Sequence, residues 1–408
     1  MILRLTLLLA TAATIARADD WPQWRGPNRT DVSNEAGLLQ KWPADGPKRL
    51  WLYDKAGLGY AGFAVVGDQL YSMGLEEGEA FVFCLNVETG NKVWQTPVAG
   101  EYENRWGDGP RSTPTVDGDH VYCMFAQGTV ACLNIADGKI VWQSSMKDAG
   151  GKQPYWGFTE SVLVDGDKVI CTPGGKRGTM LALDKKTGKK IWQSSDVTVP
   201  CHYSSPVKAT IHGKPQYVQL TMTKLFGVSA DDGKLLWESE WPGRTAVIPT
   251  PIVKGNAVYI ATGYGVGSKL VEIKEDGSAT DVWNNKVMKN HHGGVIELNG
   301  HCYGYSDGPG WICQSLKDGE PVWSEKRKLG KGAIGYADGR FYLVDERRGT
   351  VVLIAASPDG WEEHGRFTLS PQTERRKPSG RIWVHPVISN GKLYLRDQEY
   401  VYCYDVKK

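Results

Sequence analysis

Eight positions spread along the chain carry much of its chemical capacity: Tyr60, Arg111, Glu160, Ser204, Arg244, His292, Lys331 and Trp383. Each stands a few residues ahead of a short strand-like phrase, and Trp106, Asp108, His202, His291 and His385 lie close by. Gathered in one place, two arginines, a lysine, a carboxylate and several imidazoles suit an anion or a polar ligand. Polar residues lining a wet channel would look the same and hold only water. No catalytic residue is assigned, because G-x-S-x-G, H-E-x-x-H and an adjacent nucleophile and base are all missing. His291 and His292 are metal-ligand types, but neighbours on a strand point to opposite faces, and a shared ion would need His202 and His385 to converge on it. No metal is assigned. GYGVGSK (263–269) lacks the strand–loop–helix setting of a phosphate loop and reads as a hairpin.

A repeat is what would gather these positions. A turn glycine followed by an alternating strand recurs in eight copies: VGDQLYS (66–72), DGDHVYC (117–123), DGDKVIC (165–171), HGKPQYV (212–218), KGNAVYI (254–260), NGHCYGY (299–305), DGRFYLV (338–344) and NGKLYLR (390–396). Most are followed by a second phrase ending in tryptophan, at Trp94, Trp142, Trp192, Trp237, Trp283 and Trp323, spaced 48, 50, 45, 46 and 40 residues apart. Repeats of this length built from short strands, with no sustained 3.6-residue period, predict an all-β, eight-bladed β-propeller of four-stranded antiparallel blades. In one repeat, TPTVDGDHVYCMF supplies two strands joined at Asp117-Gly118, and VACLNIADGKIVWQ supplies two more joined at Asp137-Gly138. The tryptophans then pack one blade on the next, each contributing several kcal/mol at most.

The eighth repeat ends one tryptophan-bearing strand short. GPKRLWLYD (46–54), with Trp51, is predicted to supply that strand and close the ring, which would otherwise keep two open sheet edges. The propeller then occupies 47–408 and is preceded by an arm over 19–46. In the arm, WPQWRGPNRTDVS (21–33) carries Trp21, Trp24 and Arg25 with no blade of their own, so the arm either caps one end of the channel or offers a docking segment. The seventh repeat has Phe367 in place of tryptophan, and a polar loop over 369–381 follows it.

Residues 1–18, MILRLTLLLATAATIARA, have an early arginine, an apolar run and Ala16-Arg17-Ala18, the pattern of a signal peptide cleaved between Ala18 and Asp19. The apolar run is too short for a membrane span, and no cysteine follows it for lipidation. The mature chain is expected in the periplasm or outside the cell, and as a monomer. Net charge falls from 48 − 46 = +2 to 46 − 46 = 0 when Arg4 and Arg17 are removed. Charges of both signs alternate, and the basic runs KRK (326–328) and RRK (375–377) read as solvated loops. Nucleic acid is therefore not an expected partner. The eight cysteines show no CxxC; they read as small buried residues, while Cys123 with Cys132 and Cys302 with Cys313 are near enough across hairpins for a disulfide to stay open as an alternative.

LDKKTGKKIW (183–192) and LNVETGNKVW (85–94) resemble the repeat of the PQQ-like, quinoprotein-type β-propellers, and the resemblance runs through essentially the whole mature chain. WPQWRGPNRTDVS, GPRSTPTVDGDHVY (109–122) and KLYLRD (392–397) are similar to the BamB-like exported bacterial subgroup. That resemblance implies eight blades, export, and a non-enzymatic binding or scaffold role in the cell envelope, with a protein partner or a polar small molecule at the channel mouth. The alternative it implies is a quinoprotein dehydrogenase of alcohols or sugars, with PQQ on a tryptophan floor and a calcium ion held by a carboxylate and an asparagine. The adjacent Cys-Cys pair of those enzymes is absent here, and the calcium ligands do not map onto this chain. A sugar-binding or sugar-oxidising propeller is a third reading, since tryptophan-rich loops suit ring stacking.

Overall fold

Short alternating phrases broken by glycine turns leave room for strands of three to nine residues and little else. The computed structural model describes residues 20–408, so the predicted leader and its cleavage site lie outside the described residues. The described residues form 32 strands and no α-helix, grouped as eight four-stranded antiparallel sheets, the blades of a closed propeller. No helix among them is long and apolar enough to cross a membrane.

Each blade is ordered from the channel outwards. In the second, β6 (Thr115–Asp117), β7 (His120–Met124), β8 (Thr129–Asn134) and β9 (Ile140–Ser145) pair in sequence. Their register sets Thr115, Tyr122, Cys132 and Trp142 in one row across the sheet. The same tyrosine–cysteine–tryptophan row recurs as Tyr71–Cys84–Trp94, Tyr303–Cys313–Trp323 and Tyr394–Cys403–Trp51. The repeated cysteine is thus the small residue that fits between two aromatic rings.

The tryptophan of one blade meets the turn glycine of the next. A Cβ added at Gly138 would come to 2.4 Å of the Trp94 ring, and one at Gly188 to 2.5 Å of Trp142. Both glycines also hold positive φ, +70° and +68°, so glycine is required there twice over. Trp94 and Trp142 then donate from the indole N–H to Ile135 and Lys185 carbonyls of the following blade. Trp283 and Trp323 do likewise to Leu316 and Ser357. Trp237 turns instead to Gln216 of its own blade, and the Trp192 N–H has no partner.

The ring closes as the sequence predicts. β1 (Arg49–Tyr53) pairs with β32 (Tyr400–Asp405), with Trp51 opposite Cys403 and its N–H on the Val87 carbonyl of the first blade. Arg396 fastens the same junction from within. Fully buried, it donates to the carbonyls of Ala56, Gly57, Ala61, Met73 and Gln398. In the seventh blade Phe367 is joined by Trp42 of the arm, ring centres 5.3 Å apart, which fills the space a larger ring takes elsewhere.

All eight cysteines are free and buried, as their reading as small buried residues implies, and the disulfide alternative falls. Cys132 stands opposite Tyr122 while Cys123 stands opposite Ala131, so the two sulfurs lie on opposite faces of the blade, and Cys302 and Cys313 are offset in the same way. The RRK run is not a solvated loop: Arg375 pairs with Glu76, Arg376 with the buried Asp397, and Lys377 with Asp108. Those pairs strap the 369–381 loop across the mouth of the channel, where Gly380 reaches Tyr60 and Trp106.

Candidate functional site

The floor of the site is the N-terminal arm, which runs inside the ring and bonds to every blade. Trp21 exchanges backbone hydrogen bonds with Val65, and the Pro22 carbonyl accepts from Val116. Arg29 donates to Ser161, Val162 and Pro206, and the Trp24 N–H to Thr250. Arg25 reaches Val295, Asp31 and Ser33 pair with Tyr336, and Glu35 accepts from Gly391. The arm therefore plugs the channel rather than offering a docking segment, and Trp21, expected to lack a blade, packs in the core between the first and last.

Above this plug is a cavity of about 200 Å³. Its floor carries Trp24, which tilts against His385 with ring centres 4.6 Å apart. Its walls are Tyr60 and Trp383 on one side and Trp156 and Tyr203 on the other, with Trp106, Tyr264, His291 and His292 completing the rim. These residues come from the loops that lead into the inner strands, and from the hairpin after Thr262 in the case of Tyr264. Every blade but the seventh contributes.

Polar groups reach the cavity in three sets. Arg111 lies over the rings of Tyr60 and Tyr102, at 5.2 and 5.3 Å, and donates to the Gly107 carbonyl. Among the described residues no carboxylate pairs with it, and its Nε has no partner. Burial pulls its pKa down, with Tyr60, Tyr102 and Asp108 opposing. Asp108 is held by Lys377 at 2.8 Å.

The second set is a chain. Lys331 Nζ lies 2.7 Å from both Asp307 Oδ1 and His291 Nδ1, and His291 Nε2 lies 2.6 Å from the Tyr264 hydroxyl. Burial, then the His292 and Lys331 charges, pull His291 down to about 2, so it is neutral. An ammonium can only donate, so Nδ1 accepts and Nε2 carries the proton that bonds Tyr264. The Tyr264 hydroxyl is left free to donate into the cavity. Tyr264 also holds φ +57°, a conformation bulky residues rarely adopt. The third set is Glu346, which accepts from Trp383 Nε1 at 3.0 Å and lies 3.1 Å from His292 Nε2.

Of the sequence-predicted ring, Tyr60, Arg111, His292, Trp383 and His385 meet in this cavity, with Trp106 and His291. Lys331 stands behind His291. Glu160 lies beneath the floor, fully buried, accepting from Thr172 N and lying near Gln219, with its pKa raised by burial to about 7. Ser204 is buried on the Pro249 carbonyl. His202 turns to an adjoining groove, bonded to the Val247 backbone, and Arg244 is exposed on the outer face. Among the described residues, no cluster of three or more metal-ligating side chains forms. Trp24, Trp156, Tyr203 and Tyr264 were not singled out from sequence as pocket residues; the aromatic density of 21–24 and 155–156 was the available signal.

The calcium-bound quinone implied by the repeat resemblance does not fit these residues. Calcium requires several oxygen ligands, carboxylates above all. Among the described residues no carboxylate and no asparagine lines the cavity, and Glu346, Asp307, Asp108 and Asp31 beside it are engaged by Trp383, His292, Lys331, Lys377, Arg25 and His385. The hydroxyls of Ser161 and Ser205, also on the lining, accept from the backbone N–H groups of Thr113 and Ser161 and have no base beside them.

The sequence profile of the family described as outer membrane protein assembly factor BamB matches residues 43–154 and 78–325. Among solved structures, BamB from Moraxella catarrhalis is similar at TM-score 0.62 and 14% identity, over 88% of this chain and 99% of that one. The quinohemoprotein alcohol dehydrogenase ADHIIG from Pseudomonas putida HK5 is similar at TM-score 0.65 and 12% identity, over 96% and 81%. The corresponding enzyme from Comamonas testosteroni gives 0.57 and 13%, over 97% and 82%. At these identities the likeness is one of fold. No curated protein matches the chain significantly.

Proposed function

We propose, for a chain that belongs to the outer membrane protein assembly factor BamB family, an exported binding protein of the cell envelope that performs no redox chemistry of its own. Its ligand is a polar small molecule held in the aromatic cavity at the channel mouth. The observation that carries this reading is the cavity itself: four tryptophans line it, the arm closes it below, and Arg111 and Tyr264 present donors to it. A scaffold with nothing to bind at the mouth has no need of a guanidinium there whose buried Nε is left without a partner.

The test is a ligand panel of neutral sugars, sugar acids, amino acids, nucleotides, and PQQ with calcium. Tryptophan emission and calorimetry report binding, and dye reduction reports turnover. Saturable binding of a panel member that is weakened by Trp383→Ala, without dye reduction, supports the proposal. Dye reduction with PQQ and calcium in the presence of an alcohol or sugar overturns it in favour of a quinoprotein dehydrogenase. Binding of nothing in the panel also overturns it.

A further inference from the structure

We infer that the ligand is a carboxylate-bearing sugar ring, its carboxylate received by Arg111 and its faces by the tryptophan walls. The inference rests on the binding role proposed above and names the ligand class for that same cavity.

Charge comes first. Arg111 lines the cavity, and no lining residue is a carboxylate. The neighbouring acids each face a partner: Asp31 faces Arg25 and His385, Asp108 faces Lys377, Asp307 faces Lys331, and Glu346 faces Trp383 and His292. Arg111 itself makes one hydrogen bond, to the Gly107 carbonyl, and otherwise rests on aromatic faces. Its Nε is buried without a partner, which is costly unless a ligand completes it, and a planar guanidinium matches a carboxylate.

Shape comes second. The ring pairs around the cavity are inclined to each other: Tyr60 and Trp383 by 46°, Trp24 and His385 by 52°, Trp156 and Tyr203 by 62°, and His292 and Trp383 by 66°. Each wall is thus a faceted surface of inclined rings and not one flat face. Such walls suit the C–H faces of a puckered ring.

Edge chemistry comes third. The Tyr264 hydroxyl, oriented by His291 and Lys331, offers a donor at the rim, and the Thr159 hydroxyl, which donates to the Tyr203 carbonyl, also lines the cavity. A ring rich in hydroxyls uses such groups. Trp156 and Tyr203 are shared with an adjoining groove lined by residues 152–155 and 200–202, enough for a second ring beyond the first.

Calorimetry on the full mature chain compares galacturonate and glucuronate with galactose and glucose, and then a digalacturonate. Each acid is expected to bind about tenfold or more tightly than its neutral parent, the scale of one charge-assisted hydrogen bond. Arg111→Gln should abolish that preference, acid and neutral parent then binding alike. Arg111→Lys keeps the charge, loses the fork and retains part of the preference, which serves if the first variant folds poorly. Arg244→Gln, at an exposed arginine, should change nothing. Equal affinity for acid and neutral sugar, or a preference unaltered by Arg111→Gln, overturns the assignment. So does tighter binding of a flat acid such as benzoate. If other panel members bind and no sugar does, the sugar acid falls and the binding role stands.

Discussion

Arg25 and Asp31, six residues apart in the arm, meet at 2.5 Å on the axis of the propeller with each side chain only 1% exposed. His385 of the eighth blade shares the same carboxylate oxygen at 3.1 Å. The arm is thereby anchored by charge at the level of the cavity floor. Burial pushes the Asp31 carboxyl up, and Arg25 with His385 more than reverses it. Removing one partner strands the other charge, so Asp31→Asn is expected to lower unfolding free energy by about 3–5 kcal/mol. Urea unfolding of the two proteins at neutral pH measures this.

Ring closure depends on β1. Trp51→Ala should cost about 3–5 kcal/mol, the usual range for a buried tryptophan. Deleting residues 47–54 should remove the cooperative transition altogether, because the last blade then presents an unpaired edge. Calorimetric scans of both variants decide it, and a deletion that melts like the parent would contradict the closure.

The pairing of tryptophan with the following turn predicts a contrast between two glycines. Gly118 has φ +55° and open space where a Cβ would go, whereas Gly138 has φ +70° and the Trp94 ring at 2.4 Å. Gly118→Ala is expected to cost about 1 kcal/mol, from backbone strain alone. Gly138→Ala should cost roughly 3 kcal/mol, with overpacking added. Equal losses in denaturant titrations would mean that the blade contact contributes nothing.

Glu160 gives the stability a pH dependence. Burial raises its carboxyl from 4.5 to about 7. Between these values the folded chain keeps a proton that the unfolded chain releases, so this group's contribution is present below pH 4.5 and lost as pH rises through 7. The integrated effect is about 3 kcal/mol. Glu160→Gln should therefore gain stability relative to the parent from pH 5 to pH 8, as read from urea midpoints at a series of pH values.

The cysteines should be silent. All eight are buried thiols, and burial raises those of Cys123, Cys171 and Cys302 well above their ordinary range. Ellman's reagent is expected to titrate none in the native protein and all eight in denaturant. A native disulfide would leave fewer than eight.

The propeller was legible because its determinants are local and repeated. A glycine turn, an alternating strand and a tryptophan recur eight or nearly eight times, and Trp51 stood visibly displaced to the far end of the chain. The site was legible only in part. Counting back from each turn gave Tyr60, Arg111, His292 and Trp383, which line the cavity. Of the other counted positions, Glu160, Ser204, Arg244 and Lys331 do not line the cavity, nor does the nearby His202, because the length and path of the lead-in loops differ between blades and a shift of one residue reverses a side chain. The arm was the least legible part. Nothing local in WPQWRGPNRTDVS distinguishes a surface strap from a plug, since Arg25 and Arg29 find their acceptors on blades 130 to 270 residues away.

The arm also sets an order of events. Glu35 receives its hydrogen bond from Gly391, 356 residues later, and β1 waits for β32. A growing chain is thus an open arc whose first-made segment has no permanent place until the last blade exists. The molecule works as a clasp: synthesis runs from one half of the catch to the other, and the edges exposed before it snaps shut are those most open to pairing with another chain.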